Sequence, residues 1–328
     1  MSKRKKLAPI VLFVYARLEH TKKTIEALQK DKLFNESELW VFSDGYKNDI
    51  DQEKVLAVRN YLKAKIKNDN LKNVHLIESN KNNGLANSVI SGVTSIISKY
   101  GKIIVLEDDL IISPNFLEYM NETLEFYKDD DKIWSISGYN INFENKYNYE
   151  YDIYLNYRGC SWGWGTWKNR WELVDWEVKD YRKFKNNHTL RKKFNRGGPD
   201  MSQMLDLQMA GEIDSWAIRW CYSQFKNEMY TIYPVDSLIF NCGLDGSGTH
   251  SGITDKFNTN LNNKKVILVG DLKLNEKLLR EFYKKFDKGL VQKIFEFLTI
   301  IGLGKIVIIV KKMRKKMKKI RKKGCKNG

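Results

Sequence analysis

The sequence predicts an α/β fold, a mostly parallel sheet with helices on its faces, on three observations. Over the first 110 residues short apolar runs alternate with helical patterns, and such alternation implies right-handed βαβ crossovers. One run, Ile103-Ile104-Val105-Leu106, is continuously apolar, as in a strand buried on both faces. It ends in Glu107-Asp108-Asp109 before apolar residues resume at Leu110. Three carboxylates therefore stand at a strand's carboxyl end, where open α/β sheets place their ligand crevice.

The first strand is expected over Pro9 to Tyr15, the second over Glu38 to Ser43, the third over Asn73 to Glu78 and the fourth over Lys102 to Leu106. Thr21 to Lys30 and Gln52 to Lys67 have helical patterns. Leu85, Val89, Val93 and Ile96 fall at i, i+4, i+8 and i+11, one face of a third helix. Beyond residue 130 the chain is less regular and more aromatic. It offers a strand at Ile133 to Ser137, a tyrosine-rich loop to Tyr151, the segment Ser161-Trp162-Gly163-Trp164-Gly165-Thr166-Trp167, and a helix from Asp214 to Lys226. The expected division is a nucleotide-holding half (1–130), a second-substrate half of the same domain (131–270) and a helical extension (271–328).

The formal charge of +17 is unevenly spread: from Lys305 to the end there are twelve Lys/Arg and no acid. Leu290 to Val310 is apolar but carries Lys293, Glu296, Lys305, Gly302 and Gly304, which makes a spanning helix marginal. Lys311 to Lys323 sets Met313, Met317 and Ile320 on one face among lysines and arginines, the pattern of an interfacial helix on anionic lipid. The expectation is peripheral attachment to the cytoplasmic face of the cell membrane; a solvated tail is the simpler alternative. Nucleic acid is not expected as a partner, because no aromatic residue interleaves the basic run. The four cysteines form no CxxC pair and suit buried thiols in a reducing compartment. Lys3-Arg4-Lys5-Lys6 before Leu7 to Ala16 reads as a basic lead into the first strand, since Pro9 interrupts the apolar run and Arg17, Glu19 and His20 follow it closely.

Three adjacent acids cannot be buried unpartnered without losing charge or costing several kcal/mol. A hard divalent cation is the expected partner; three solvated loop acids are the bland alternative. After the first strand come Tyr15-Ala16-Arg17, with Arg17 able to meet ribose or phosphate. The second strand ends in Phe42-Ser43-Asp44-Gly45, where Asp44 can accept the N3–H of a uracil or simply hold a turn. Asn80 to Ser88, including Asn83, leads into a helix N-terminus that can cap itself or offer backbone donors to a ligand.

The order of these segments resembles a GT-A (Rossmann-like) nucleotide-diphospho-sugar glycosyltransferase, similar to bacterial sugar transferases and the N-acetylglucosaminyltransferase I family, over roughly residues 8 to 255. Glu107-Asp108-Asp109 is similar to that family's acidic signature, Gly163-Trp164 to its acceptor-side segment, and Ile213-Asp214-Ser215-Trp216 to its base segment. The resemblance implies Mn²⁺ or Mg²⁺ on Asp109, with Glu107 and Asp108 holding ribose and the metal's waters. It implies Asp214 as the base of an inverting transfer, its pKa raised by partial burial near Trp216 and Trp220; the same residue also suits an N-cap. It implies a glycine-rich loop, Gly243 to Gly252, folding over the pyrophosphate with Ser247 and His250 as contacts; an ordinary surface turn is the alternative.

Trp162 and Trp164 are candidate platforms for sugar faces, or core anchors; Trp167 and Trp171, at i and i+4, read as core on one helix face. The implied function is metal-dependent transfer of a sugar from a UDP-sugar to a glycan or lipid-linked glycan in bacterial surface polysaccharide synthesis. A nucleotidyltransferase would carry a glycine-rich basic loop after the first strand, where this chain has Tyr15-Ala16-Arg17-Leu18-Glu19. A non-enzymatic membrane-surface glycan-binding protein remains the other class, with the acids on calcium and the tryptophans on sugar.

Overall fold

In a computed structural model of the chain, residues 6–246 and 254–287 are described. The first half runs β1 (Ile10–Val14), α1 (Leu18–Gln29), β2 (Leu39–Ser43), α2 (Asp49–Asn68), β3 (Val74–Glu78), α3 (Leu85–Tyr100), β4 (Lys102–Glu107), β5 (Leu110–Ile112) and α4 (Phe116–Phe126). The second half adds β6 (Ile133–Ser137), β7 (Ile153–Asn156), β8 (Trp164–Trp167), α5 (Lys168–Trp171), α6 (Tyr181–Lys185), α7 (His188–Phe194), α8 (Met201–Met209), α9 (Trp216–Lys226), β9 (Tyr230–Pro234), β10 (Ile239–Asn241) and α10 (Glu276–Phe286).

Eight strands form one sheet in the order β3-β2-β1-β4-β8-β6-β9-β7. The β3-β2-β1-β4 half is wholly parallel, as the alternating pattern predicts. The chain leaves β1 toward β2 and returns on β1's other side as β4, so the switch point of the topology lies between β1 and β4. Beyond β4 the sheet turns mixed: β8 is antiparallel to both β4 and β6, while β9 is parallel to β6. A separate two-stranded ribbon pairs β5 with β10 and brings Asn241 opposite Leu110, directly after the acidic triplet.

The strands are apolar because helices cover them. Val89, Val93, Ile96 and Ile97 of α3 pack on Val11, Phe13, Ile103 and Val105 in one buried cluster, which Trp134, Trp164, Trp171, Trp216 and Trp220 extend. Gly92 permits this approach, since a Cβ there would lie 2.8 Å from the Phe13 ring. Two sequence expectations are corrected here. Trp167 does not share a helix face with Trp171: it ends β8 and precedes α5, although both are buried. The division at residue 271 also falls too early. The first compact unit runs to Lys285, and α10 buries Leu278, Leu279 and Phe282. The second unit, Phe286–Gly328, lies almost entirely outside the described residues, and with it the basic tail. No described helix is long and apolar enough to cross a membrane.

Candidate active site

The site grows from the carboxyl ends of β1 and β4. Phe13 is in register with Glu107, so the residues just beyond, Tyr15 to Arg17 and Asp108 to Asp109, leave the sheet side by side. The triplet's backbone is locked on two sides. The Thr24 hydroxyl of α1 donates to the Asp108 carbonyl (2.8 Å), and the Cys242 N–H after β10 donates to the Asp109 carbonyl (2.9 Å).

The side chains are closely confined. Arg17 pairs with Asp108 Oδ1 and, at 3.0 Å, with Asp109 Oδ2. Their other oxygens, Asp108 Oδ2 and Asp109 Oδ1, are buried without a hydrogen-bond partner among the described residues. The expected solvated-acid alternative therefore does not hold for Asp108 and Asp109, which are 4% and 8% exposed. Burial and the two neighbouring carboxylates push Glu107 up to about 8, with Arg17 pulling the other way. Burial likewise raises Asp108 against the pull of Arg17. Burial alone would lower Arg17, but the two aspartates more than reverse it.

This chemistry fits a hard cation: the donors are carboxylate oxygens, and two are buried and unpaired. Among the described residues no three His, Cys, Asp or Glu side chains converge on one point.

A second group surrounds the N-terminus of α3. Asp44, just past β2, accepts from the Asn83 N–H (3.0 Å), the Asn83 Nδ2 (3.0 Å) and the Gly84 N–H (3.1 Å). Loop donors reach both carboxylate oxygens, the arrangement of the turn reading. Asn83 is likewise engaged in the loop, its amide also donating to Ser79 Oγ at 2.9 Å. Gly45 is obligatory, because a Cβ there would lie 2.4 Å from the Lys81 carbonyl carbon. Tyr15 directs its hydroxyl away from the triplet, donating to Asp51 Oδ2 and accepting from the Lys47 N–H, both at 2.9 Å.

Asp214 reaches the same helix end from the other half of the chain: its Oδ2 accepts from the Ala86 N–H at 3.3 Å. Two sequence expectations fail at this residue. Ser215, not Asp214, caps α9, through Ile218 N–H; and Asp214 is exposed, so the expected burial beside Trp216 and Trp220 is missing. Those tryptophans turn into the core, with 3% and 0% exposure.

Trp164 is also corrected. It is 0% exposed, its ring centroid 5.1 Å from Trp216 and 5.4 Å from Trp220, so it cannot present a face to a sugar. Trp162 is half-buried, edge-on to Tyr139 at 4.7 Å. Ser247 and His250 lie outside the described residues.

Sequence reasoning missed several groups. Arg59 of α2 is buried and donates to Ser43 Oγ and to the carbonyls of Ser43, Asp44 and Ser79 (2.7–3.1 Å), bracing the ends of β2 and β3. An arginine on the buried stripe Val55, Val58, Leu62 was the available signal. His20 Nε2 lies 3.3 Å from the Cys242 carbonyl and 3.2 Å from Asp245 Oδ2, tying α1 to the exit of β10. Gly243 lies so close that a Cβ would stand 2.1 Å from Asp109 Oδ2 and 2.9 Å from Arg17 Nη1. Two open clefts, about 420 and 730 Å³, lie elsewhere, and lysine–glutamate pairs meet their charges (Lys63–Glu78, Lys102–Glu125, Lys265–Glu122).

Residues 4–196 match the GNT-I family, well over half of the chain, and the protein belongs to that family. It is similar to an alpha-1,3-mannosyl-glycoprotein 2-beta-N-acetylglucosaminyltransferase of Arabidopsis thaliana, 28% identical over 100 residues; the match spans 27% of this chain and 22% of that protein. Among solved structures, GalNAc-T7 with UDP, GalNAc and Mn²⁺ overlaps with a TM-score of 0.45 at 9% identity, covering 70% of this chain and 42% of that one. A mannosyltransferase of Pyrobaculum calidifontis with GDP-Man and Mn²⁺ overlaps with a TM-score of 0.37 at 12% identity, covering 51% and 49%.

Proposed function

We propose that this member of the GNT-I family is a metal-dependent glycosyltransferase. It moves a sugar from a nucleoside diphosphate, UDP by family resemblance, to a hydroxyl of a glycan or lipid-linked glycan, with inversion. The observation that carries the reading is the pair of buried, unpartnered oxygens on Asp108 and Asp109 beside Arg17 at the β1–β4 switch point. Asp109, with Asp108, would hold Mn²⁺ or Mg²⁺, the cation with which the solved glycosyltransferases above were bound being Mn²⁺. Bound there, the cation supplies Lewis acidity to the diphosphate leaving group.

The chain's own residues do the rest. Arg17 offers a planar guanidinium to phosphate oxygens. Asp44 and Arg59 keep the loop before α3 in one conformation, which is how a rigid scaffold positions a site. Asp214, exposed at the start of α9, takes the proton of the attacking hydroxyl on the carboxylate oxygen that Ala86 does not occupy. The basic tail, with twelve Lys/Arg after residue 304, holds the enzyme on anionic lipid at the inner face of the cell membrane, near a lipid-linked acceptor. The setting that suits this is synthesis of a bacterial surface polysaccharide.

The test is UDP binding with and without Mn²⁺, followed by turnover across a panel of UDP- and GDP-sugars. Metal-dependent nucleotide binding, lost in Asp109→Ala, supports the reading. Calcium binding without nucleotide affinity would instead make the protein a glycan-binding module. Deleting residues 306–328 should abolish co-sedimentation with phosphatidylserine vesicles while sparing turnover; retained sedimentation refutes the anchor.

A further inference from the structure

We propose that Arg17 is the resident counter-ion of the acidic pair and admits the divalent cation only together with a diphosphate. The proposal rests on the donor-binding reading above and adds an order of events to it.

Arg17 covers the acids from the solvent side. Its side chain is 21% exposed, against 5% for Asp108 and 12% for Asp109, so it is the outermost member of the trio. On another side the chain at Gly243 closes in, with no room for even a methyl group beside Asp109 Oδ2 and Arg17 Nη1. A cation approaching the free oxygens Asp108 Oδ2 and Asp109 Oδ1 therefore meets a positive charge already bound to the other oxygen of each carboxylate. Sharing the seat is repulsive, and ejecting the guanidinium strips a largely covered cation of both carboxylate partners and leaves its charge uncompensated.

A diphosphate removes that obstacle. Its oxygens are bidentate acceptors for a guanidinium, so Arg17 exchanges two carboxylates for phosphate without passing through an unpaired state. The local structure allows the exchange. Arg17 is the residue before α1, and its carbonyl is held by the Thr21 N–H and hydroxyl, both at 2.9 Å. Asp108 and Asp109 are the partners that hold the guanidinium, so the side chain can swing while the backbone stays. Metal and nucleotide affinities are then coupled through this residue, and the coupling is reciprocal.

The experiment measures free Mn²⁺ by electron paramagnetic resonance, with and without UDP, for the wild-type full chain, Arg17→Gln and Arg17→Lys. In the wild type, UDP should tighten Mn²⁺ binding strongly. In Arg17→Gln, Mn²⁺ alone should bind about tenfold tighter than in the wild type, and the enhancement by UDP should shrink by a similar factor. Arg17→Lys, which keeps the charge but cannot bridge two carboxylates through a planar fork, should fall between them, and it carries the comparison alone if the glutamine variant does not fold. Metal-alone affinity that is unchanged or weaker in the variants overturns the gate. A wild type that binds no Mn²⁺ even with UDP refutes the donor-site reading itself, a different failure.

Discussion

Gly243→Ala isolates the geometry of the metal seat from the chemistry of its ligands. The substitution adds one methyl group, and Gly243 is not among the residues with positive φ, so the backbone tolerates alanine. The added carbon would stand 2.1 Å from Asp109 Oδ2, where ordinary contact begins at 3.4 Å. Asp109 or the chain after β10 must therefore give way by about 1 Å, and overpacking of this kind costs about 1–3 kcal/mol. A ligand displaced that far exceeds the roughly 0.5 Å within which a functional group must be held. Mn²⁺-dependent UDP affinity should fall about 10–100-fold, the usual cost of disturbing a metal ligand's support. Isothermal titration of UDP at saturating Mn²⁺ measures this, with thermal unfolding run in parallel. Gly270→Ala is the control, because its Cβ would meet nothing within 4 Å. Unchanged UDP affinity in Gly243→Ala, with the fold intact, would refute the placement of the cation on Asp109.

Asp214→Asn should leave UDP·Mn²⁺ affinity intact and lower kcat by about 10²–10⁴-fold; near-normal turnover removes it as the base. Glu107 gives a pH signature. Its folded-state value is raised from 4.5 to about 8, so without a cation this group destabilises the fold progressively as pH rises through that window. A cation favours the carboxylate and should expel the proton, so titrating Mn²⁺ and UDP near neutral pH in buffers of different ionisation enthalpy should show proton release that Glu107→Gln lacks. Equal release in the variant counts against Glu107 as its source. Arg59→Ala removes the only donor among the described residues to the Asp44 and Ser79 carbonyls and the Ser43 hydroxyl, while the Ser43 carbonyl keeps the Ser79 N–H, and should cost about 2–4 kcal/mol in urea unfolding; a change under about 0.5 kcal/mol would remove it as the brace of β2 and β3.

The parallel half was legible because its signals are local. Continuous apolar runs mark β1 and β4, which fall within a residue of expectation, and a four-residue apolar stripe marks α3. Other strands were hidden: β5 and β10 have three residues each, and β8 consists of Trp164-Gly165-Thr166-Trp167, where glycine and indole obscure alternation. The acidic triplet stood out because three charges interrupt an apolar run. Arg17 as its partner did not, since ninety-one residues separate Arg17 from Asp108. Trp164 was misjudged for a related reason: sequence shows that tryptophans are clustered, and only packing shows that they face one another.

The double hold on α3 carries a consequence for biosynthesis. Asp44 grips the helix start from early in the chain, and Asp214 grips it from 128 residues beyond Ala86. Strand β4 gains its second neighbour only when β8 has been made. A nascent chain emerging from the ribosome thus exposes its four parallel strands well before α3 is held from both sides. Translation must run past Asp214 before α3 gains its second hold, and past β9 before the sheet is complete.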